Sequence, residues 1–307
     1  MTDSRLIPPH PTRFAPGAPD PLRHQLLATL AQHRMATTEQ LRLLLRPHAT
    51  RQAVSEVLQC LYRQELAAYT QMPDGRTRAW YLTPDGARIT RDLPAQRGRP
   101  PYPITSTNAA SPKTSHTLAS VRAHLTFVAD ARRRGDEHSH LDWTPEVFHQ
   151  IGEGERLIAD AVMHYTVDPD GQRTKLRAFV EIDRATSSSE RLAAKLIAYA
   201  RFRYYEPVPV GRRRSGNHQA VTVDSWQRWY PAFPRILFIL TGAAPRTLTN
   251  RIQDLRAMVR EHPAVAALAR DVALGAAILE DLEDQGPSGP VWVPLAADGS
   301  SRSWMGL

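Results

Sequence analysis

Polar and apolar positions alternate along this chain with two different periods. Between Pro21 and Gln32, Leu22, Leu26, Leu27 and Leu30 recur at helical spacing and predict a first amphipathic helix. Thr37 or Thr38 then stands where an N-cap belongs, before a short helix from Glu39 to Leu45 whose apolar positions are Leu41, Leu44 and Leu45, and Pro47 stops it. Thr50 caps a third helix to about Gln64, with Val54, Val57, Leu58 and Leu61 inward. The period then changes to two. Ala67 to Gln71 and Arg78 to Leu82 read as strands around the turn Pro73-Asp74-Gly75, and Thr83-Pro84 opens another helix.

A Pro- and Ser/Thr-rich break at about 92–113, including Arg97-Gly98-Arg99-Pro100-Pro101, reads as a linker. Beyond it the order is helix, three strands, helix, strand. Ser115 to Arg134 is helical, and Leu141 to Phe148, Leu157 to Tyr165 and Leu176 to Ile182 are strands, the last two joined at Asp168-Pro169-Asp170-Gly171. Ser187, Ser188 or Ser189 caps a helix to about Tyr205, and Arg235 to Leu240 is a wholly apolar strand expected at the centre of a sheet. The expected organisation is therefore an arm at 1–19, a first domain at 20–91, a linker at 92–113, a second domain at 114–296 and a tail at 297–307. Gly211 to Gly216, carrying Arg212-Arg213-Arg214, is expected to be an exposed loop.

Composition narrows the function. The 307 residues are 42% hydrophobic and 23% charged, as in a globular protein. No apolar run, Ile236 to Leu240 included, comes near the length of a membrane span, and the proline-rich N-terminus lacks a signal-peptide core, so a cytoplasmic protein is expected. The single cysteine, Cys60, excludes an intrachain disulfide framework. The net charge of +8 is unevenly placed: residues 1–113 carry 15 Lys and Arg against 8 Asp and Glu, the remainder 24 against 23. A basic N-terminal half favours a polyanion, and nucleic acid is the usual one.

Three short helices with this connection describe a helix-turn-helix followed by a wing-like hairpin. The side of the third helix away from its apolar stripe carries Arg51, Gln52, Ser55, Gln59 and Arg63, side chains suited to base edges and phosphates. Arg76 and Arg78 on the hairpin are placed to meet phosphates. Double-stranded DNA is the expected partner. A homodimer is a further expectation, because modules of this shape also dimerise.

In the second domain the chemistry lies on two strands. Asp160 stands among apolar neighbours, while Glu181 and Asp183, two apart, project from one face. Three converging carboxylates repel unless a cation bridges them, and Mg²⁺ is bound by such oxygen clusters. The metal-ligand expectation is Asp160, Glu181 and Asp183. No Walker-type glycine loop occurs. His138 and His140 lack the apolar intervening residue of a relaxase histidine pair, since Ser139 separates them.

The element order and these acids resemble the PD-(D/E)XK nuclease superfamily. Asp160 matches its first acid and Glu181 its second, whereas Asp183 stands where that pattern has lysine. In some members the lysine migrates to the next helix, which makes Lys195, one of three lysines, the candidate. The resemblance thus implies a catalytic set of Asp160, Glu181, Asp183 and Lys195. His116, at a helix start, reads either as a cap or packing residue or as one that assists a phosphate or orients a carboxylate. Trp80-Tyr81-Leu82-Thr83-Pro84-Asp85-Gly86, Ser115-His116-Thr117-Leu118-Ala119, Glu181-Ile182-Asp183-Arg184 and Lys195 with Tyr199 together resemble the replication-relaxation family, over about residues 20 to 295. That resemblance implies an α/β (α+β) protein with an N-terminal winged helix-turn-helix and a restriction-endonuclease-like αβββαβ domain. It further implies a role in replication or DNA processing of plasmids and mobile elements, largely actinobacterial. Two functions follow: a Mg²⁺-dependent DNA nickase or endonuclease, or a DNA-binding transcriptional or replication regulator whose nuclease-like domain is inactive.

Overall fold

The computed structural model describes residues 21–93, 96, 112–151, 154–168, 172–186, 188–205 and 225–307. The expected arm, most of the linker, the tip of the 168–171 turn and the 211–216 loop lie outside the described residues.

The N-terminal unit runs α1 (Leu22–His33), β1 (Met35–Thr37), α2 (Thr38–Leu45), α3 (Arg51–Arg63), β2 (Ala67–Gln71), β3 (Arg78–Leu82) and α4 (Pro84–Thr90). Local chemistry sets these boundaries. The Thr37 side chain accepts from Gln40 N while the Gln40 side chain accepts from Thr37 N, a reciprocal capping box. Thr50 accepts from Ala53 N at the start of α3, and Thr83 accepts from Gly86 N with Pro84 beginning α4. In the hairpin turn, Gly75 adopts φ +64° and Asp74 accepts from the amides of Arg76 and Thr77. The short β1, absent from the sequence expectation, pairs antiparallel with β3 to give the order β1-β3-β2. A buried core containing Leu26, Leu41, Val54, Leu58, Leu61 and Trp80 holds the helices on this sheet.

The larger unit continues with α5 (Pro112–Arg134), β4 (Trp143–Ile151), β5 (Glu155–Val167), β6 (Thr174–Asp183), α6 (Ser189–Tyr204), β7 (Arg235–Leu240), α7 (Pro245–Glu261), α8 (Pro263–Asp271), β8 (Leu274–Ile278), α9 (Leu279–Gln285) and β9 (Val293–Pro294). Its six strands lie in sequence order, β4-β5-β6-β7-β8-β9. β4, β5 and β6 form antiparallel ladders, β7 and β8 join in parallel, and β9 closes antiparallel. The apolar strand β7 is central, as its composition required. One face packs on α6, α7 and α8 around Phe179, Leu196, Tyr199, Phe238 and Leu255; the other packs on α5 around Phe127, Trp143, Val180, Leu237 and Trp304.

Two boundaries differ from the sequence expectation. Val121 and Val128 of α5 belong to the N-terminal core, while Ala123 and Phe127 of the same helix belong to the sheet core. One helix thus serves both units, because apolar residues occupy two of its sides. Residues expected to form a tail are folded: Arg302 pairs with Trp292, and Trp304 is fully buried.

Candidate functional site

Along β5, Leu157 and Ala159 belong to one core, Ala161 and Met163 to the other. Strand alternation therefore slips at Asp160. Opposite this step in the β4 register, Glu146 takes φ +48°, a left-handed conformation away from the regular pleat. The β5–β6 ladder also stops here, with Ala161 and Val180 its last paired residues toward this end. The strands fork, and the Asp160 carboxylate takes the place of the missing backbone acceptor: its Oδ2 receives Ile182 N at 2.8 Å.

Glu181 lies on the other arm of the fork. Tyr199 OH donates to its Oε1, and Lys195 Nζ lies 2.9 Å from its Oε2. Lys195 and Tyr199 are one turn apart on α6, which aims both at the same carboxylate. Lys195 also donates to Ile158 O at 2.5 Å, so it spans the two strands. From the opposite layer, His116 Nε2 of α5 comes within 3.5 Å of Asp160 Oδ2. Asp160, Glu181 and Lys195 are thus brought together, with His116 and Tyr199 supporting one carboxylate each.

The two acids differ in proton affinity. Burial, reinforced by the charge of Asp160, pushes Glu181 up to about 8, against the opposing pull of Lys195 and Tyr199. Burial also raises the carboxyl of Asp160, but the His116 hydrogen bond, the Lys195 charge and the Ile182 amide outweigh it and hold Asp160 below its usual range. A carboxylate pair in which one charge suppresses ionisation of the other is suited to a cation. Hard oxygen donors fit Mg²⁺, which commonly takes one or two carboxylates and completes its shell with water and phosphate oxygens.

Asp183 does not join this pair. Although it shares a strand face with Glu181, Arg251 Nε of α7 donates to its Oδ2 at 2.6 Å and Ala185 N to its Oδ1 at 3.1 Å. The expected three-carboxylate cluster is therefore corrected to two: Asp183 is neutralised at the strand end by an arginine far away in sequence. Among the described residues no three His, Cys, Asp or Glu side chains are arranged to hold a metal ion. His138 and His140, set aside as a relaxase pair, lie apart from this fork, with His138 buried and its Nδ1 on His164 O.

A second candidate surface lies on the N-terminal unit. Arg51, Gln52, Ser55, Gln59 and Arg63 from α3, with Arg76 and Arg78 from the hairpin, line one open groove. The amphipathicity of α3 accounts for this, since burying Val54, Leu58 and Leu61 turns those polar residues outward. Thr38, Glu56 and Gln71 also line it. Glu56 accepts from Gln52 at 3.1 Å, which orients that amide within the groove.

Tyr199 and Arg251 went unrecognised in the sequence as partners of the acids. Tyr199 had a local signal, standing four residues after Lys195 on a predicted helix; Arg251 had none, because only the parallel crossover into α7 brings it to Asp183.

A mixed α/β chain with a basic groove on one unit and an acid–lysine site at a sheet fork on the other defines the class. Residues 27–209 match the replication-relaxation family, and the chain belongs to it. Membership points to a role in replication or DNA processing and to interaction with DNA. No curated protein and no solved structure shows a significant match. Among the described residues no helix is long and apolar enough to cross a membrane.

Proposed function

We propose that the protein is a DNA-processing enzyme that docks on double-stranded DNA through its N-terminal unit and nicks a phosphodiester at the Asp160–Glu181 fork. The observation that carries this reading is the convergence of two carboxylates and a lysine where β5 and β6 part.

The N-terminal unit has the element order of a winged helix-turn-helix, with α3 as the reading helix and β2–β3 as the wing. Arg51, Gln52, Ser55, Gln59 and Arg63 would meet base edges in the major groove, while Arg76 and Arg78 would meet phosphates. In the larger unit, the order α5-β4-β5-β6-α6-β7 supports a PD-(D/E)XK nuclease-like core.

Asp160 and Glu181 would hold a divalent cation such as Mg²⁺, which when bound supplies Lewis-acid polarisation of the phosphodiester and a more acidic water. Lys195, already between the strands, would donate to a nonbridging phosphate oxygen and stabilise the charge that develops on it. Tyr199 fixes the rotamer of Glu181, and His116 braces Asp160 from the other layer. Action on plasmid or mobile-element DNA follows from the family resemblance. The second reading, a DNA-binding regulator with an inactive core, draws on Asp183 standing at the motif lysine's position and being tied to Arg251.

Incubation with supercoiled DNA and Mg²⁺ separates the readings. The wild type is expected to convert it to open circles, and Asp160→Ala or Glu181→Ala to abolish conversion. Intact supercoils with specific gel retardation would establish the regulator.

A further inference from the structure

The groove on the N-terminal unit is framed by cations, with Arg51 and Arg63 at the two ends of α3 and Arg76 and Arg78 on the hairpin. Among the described residues one acid lines it, Glu56, in the stretch of α3 between the two terminal arginines. An exposed carboxylate near a guanidinium commonly pairs with it, as Glu39 does with Arg42 in α2 at 2.7 Å. Glu56 does not. Among the described residues it forms no ion pair, and its Oε1 receives only the Gln52 side-chain amide, at 3.1 Å. Both side chains are exposed, and both line the groove.

We propose that Glu56 selects the DNA sequence: its second oxygen accepts from the N4 amino group of one cytosine on the floor of the major groove. The partner is then duplex DNA with a cytosine at a fixed position, rather than duplex of any sequence. This deepens the reading of the groove as a DNA surface and rests on it.

Length sorts the positions of α3. From Arg51 to Arg63 the helix runs about 18 Å, against a major groove about 12 Å wide. Arginines at its two ends therefore reach the phosphate walls, while Gln52, Ser55, Glu56 and Gln59 face the floor. Charge then sorts the partners of Glu56. Phosphates repel a carboxylate, so a contact with the walls would only weaken binding. A carboxylate accepts hydrogen bonds and donates none, and the donors on the floor are the amino groups of cytosine and adenine. Guanine offers it O6 and N7, and thymine O4 and a methyl group. Adenine sets the acceptor N7 beside its amino group, a pattern matched by an amide such as Gln52, whereas cytosine presents its amino group alone. Opposite guanine or thymine the carboxylate loses its water and finds no donor, which is the source of discrimination. The hydrogen bond from Gln52 fixes the orientation of Glu56 in the free protein.

The test uses the full chain and a library of duplexes with a randomised core, selected for binding without Mg²⁺, with affinities then measured by anisotropy. The wild type is expected to enrich a sequence with one position held as cytosine. Exchanging that C·G pair for G·C should weaken binding roughly ten- to a hundred-fold. Glu56→Ala should bind the two duplexes alike, and should bind unselected duplex more tightly than the wild type because a negative charge is gone. Glu56→Gln should move the preference at that position toward adenine. Circular dichroism checks that both variants are folded. Arg51→Ala is the reference: it should weaken both duplexes equally and leave the preference for cytosine. A cytosine preference that Glu56→Ala keeps in full would overturn the proposal, as would equal affinity of the wild type for every duplex. Either result leaves the groove as a DNA surface. A position held as another base and released by Glu56→Ala would overturn the assignment to cytosine. Failure of the wild type to bind any duplex would remove the reading of the groove itself, and the proposal with it.

Discussion

Glu181 carries opposed demands. It is buried, which favours its neutral form, yet it faces Lys195 and Tyr199, which favour the carboxylate. The burial and the neighbouring charge of Asp160 prevail over that pull, leaving a group whose ionisation a further cation would favour. Lys195 bridges both strands and is expected to matter in the transition state more than in binding. Lys195→Ala should therefore slow nicking by roughly a hundred-fold while DNA affinity, followed by anisotropy, stays close to wild type. Loss confined to affinity would place Lys195 on the backbone of bound DNA instead. Gly86 offers a separate test of local packing. A Cβ there would sit 1.9 Å from Leu66 O, and that backbone cannot yield cheaply, so Gly86→Ala should cost about 1–3 kcal/mol. Chemical denaturation measures this, and an unchanged midpoint would refute the contact.

At the scale of elements, what the sequence made legible depended on range. Thr37, Thr50 and Thr83 act through hydrogen bonds within three residues, so the starts of α2, α3 and α4 could be read from neighbours alone. The β2–β3 hairpin was legible for the same reason, as was the apolar strand β7. The elements after β7 were not read, although Pro245 and the spacing of Leu248, Ile252, Leu255 and Val259 mark α7. For the site, Asp160, Glu181 and Lys195 were legible because a strand acid and a helix lysine follow one another in chain order. Asp183 was misplaced because strand periodicity reports a shared face, whereas its partner Arg251 is 68 residues away. The groove residues of α3 came straight from the amphipathic pattern. Their binding role is tested by Arg51→Ala and Arg76→Ala. Each should weaken duplex binding and reduce the salt slope by about one, and wild-type affinity and slope in both would put DNA on another surface.

Across the whole molecule, α5 locks the two units together. Gln40 Nε2 donates to Leu118 O at 2.9 Å, Arg132 Nη1 to Leu43 O at 2.7 Å, and His33 Nε2 lies 3.1 Å from His124 Nδ1. The groove and the fork are consequently carried by one continuous packed body. The seam is rich in buried histidines. Burial lowers His33 and His138 to about 4, and lowers His124 well below its usual value with neighbouring histidines adding to the effect. Since the folded state disfavours their protonation, the unfolded chain takes up protons first as pH falls below 6.5. Glu181 acts in the opposite direction, because below about 8 the folded state already holds a proton on it that the unfolded chain takes up only near the ordinary value of 4.5. Three histidines outweigh one glutamate, so the melting temperature should fall between pH 6.5 and pH 4, and a flat profile there would contradict the neutral seam.

The central claim is that Asp160 and Glu181, without Asp183, form a single cation site. Calorimetric titration with Mn²⁺ in the presence of uncleaved single-stranded DNA addresses it directly. The wild type and Asp183→Asn should bind alike, while Asp160→Ala and Glu181→Gln should each lose binding. Equal binding by all four proteins, or loss in Asp183→Asn alone, would contradict the account.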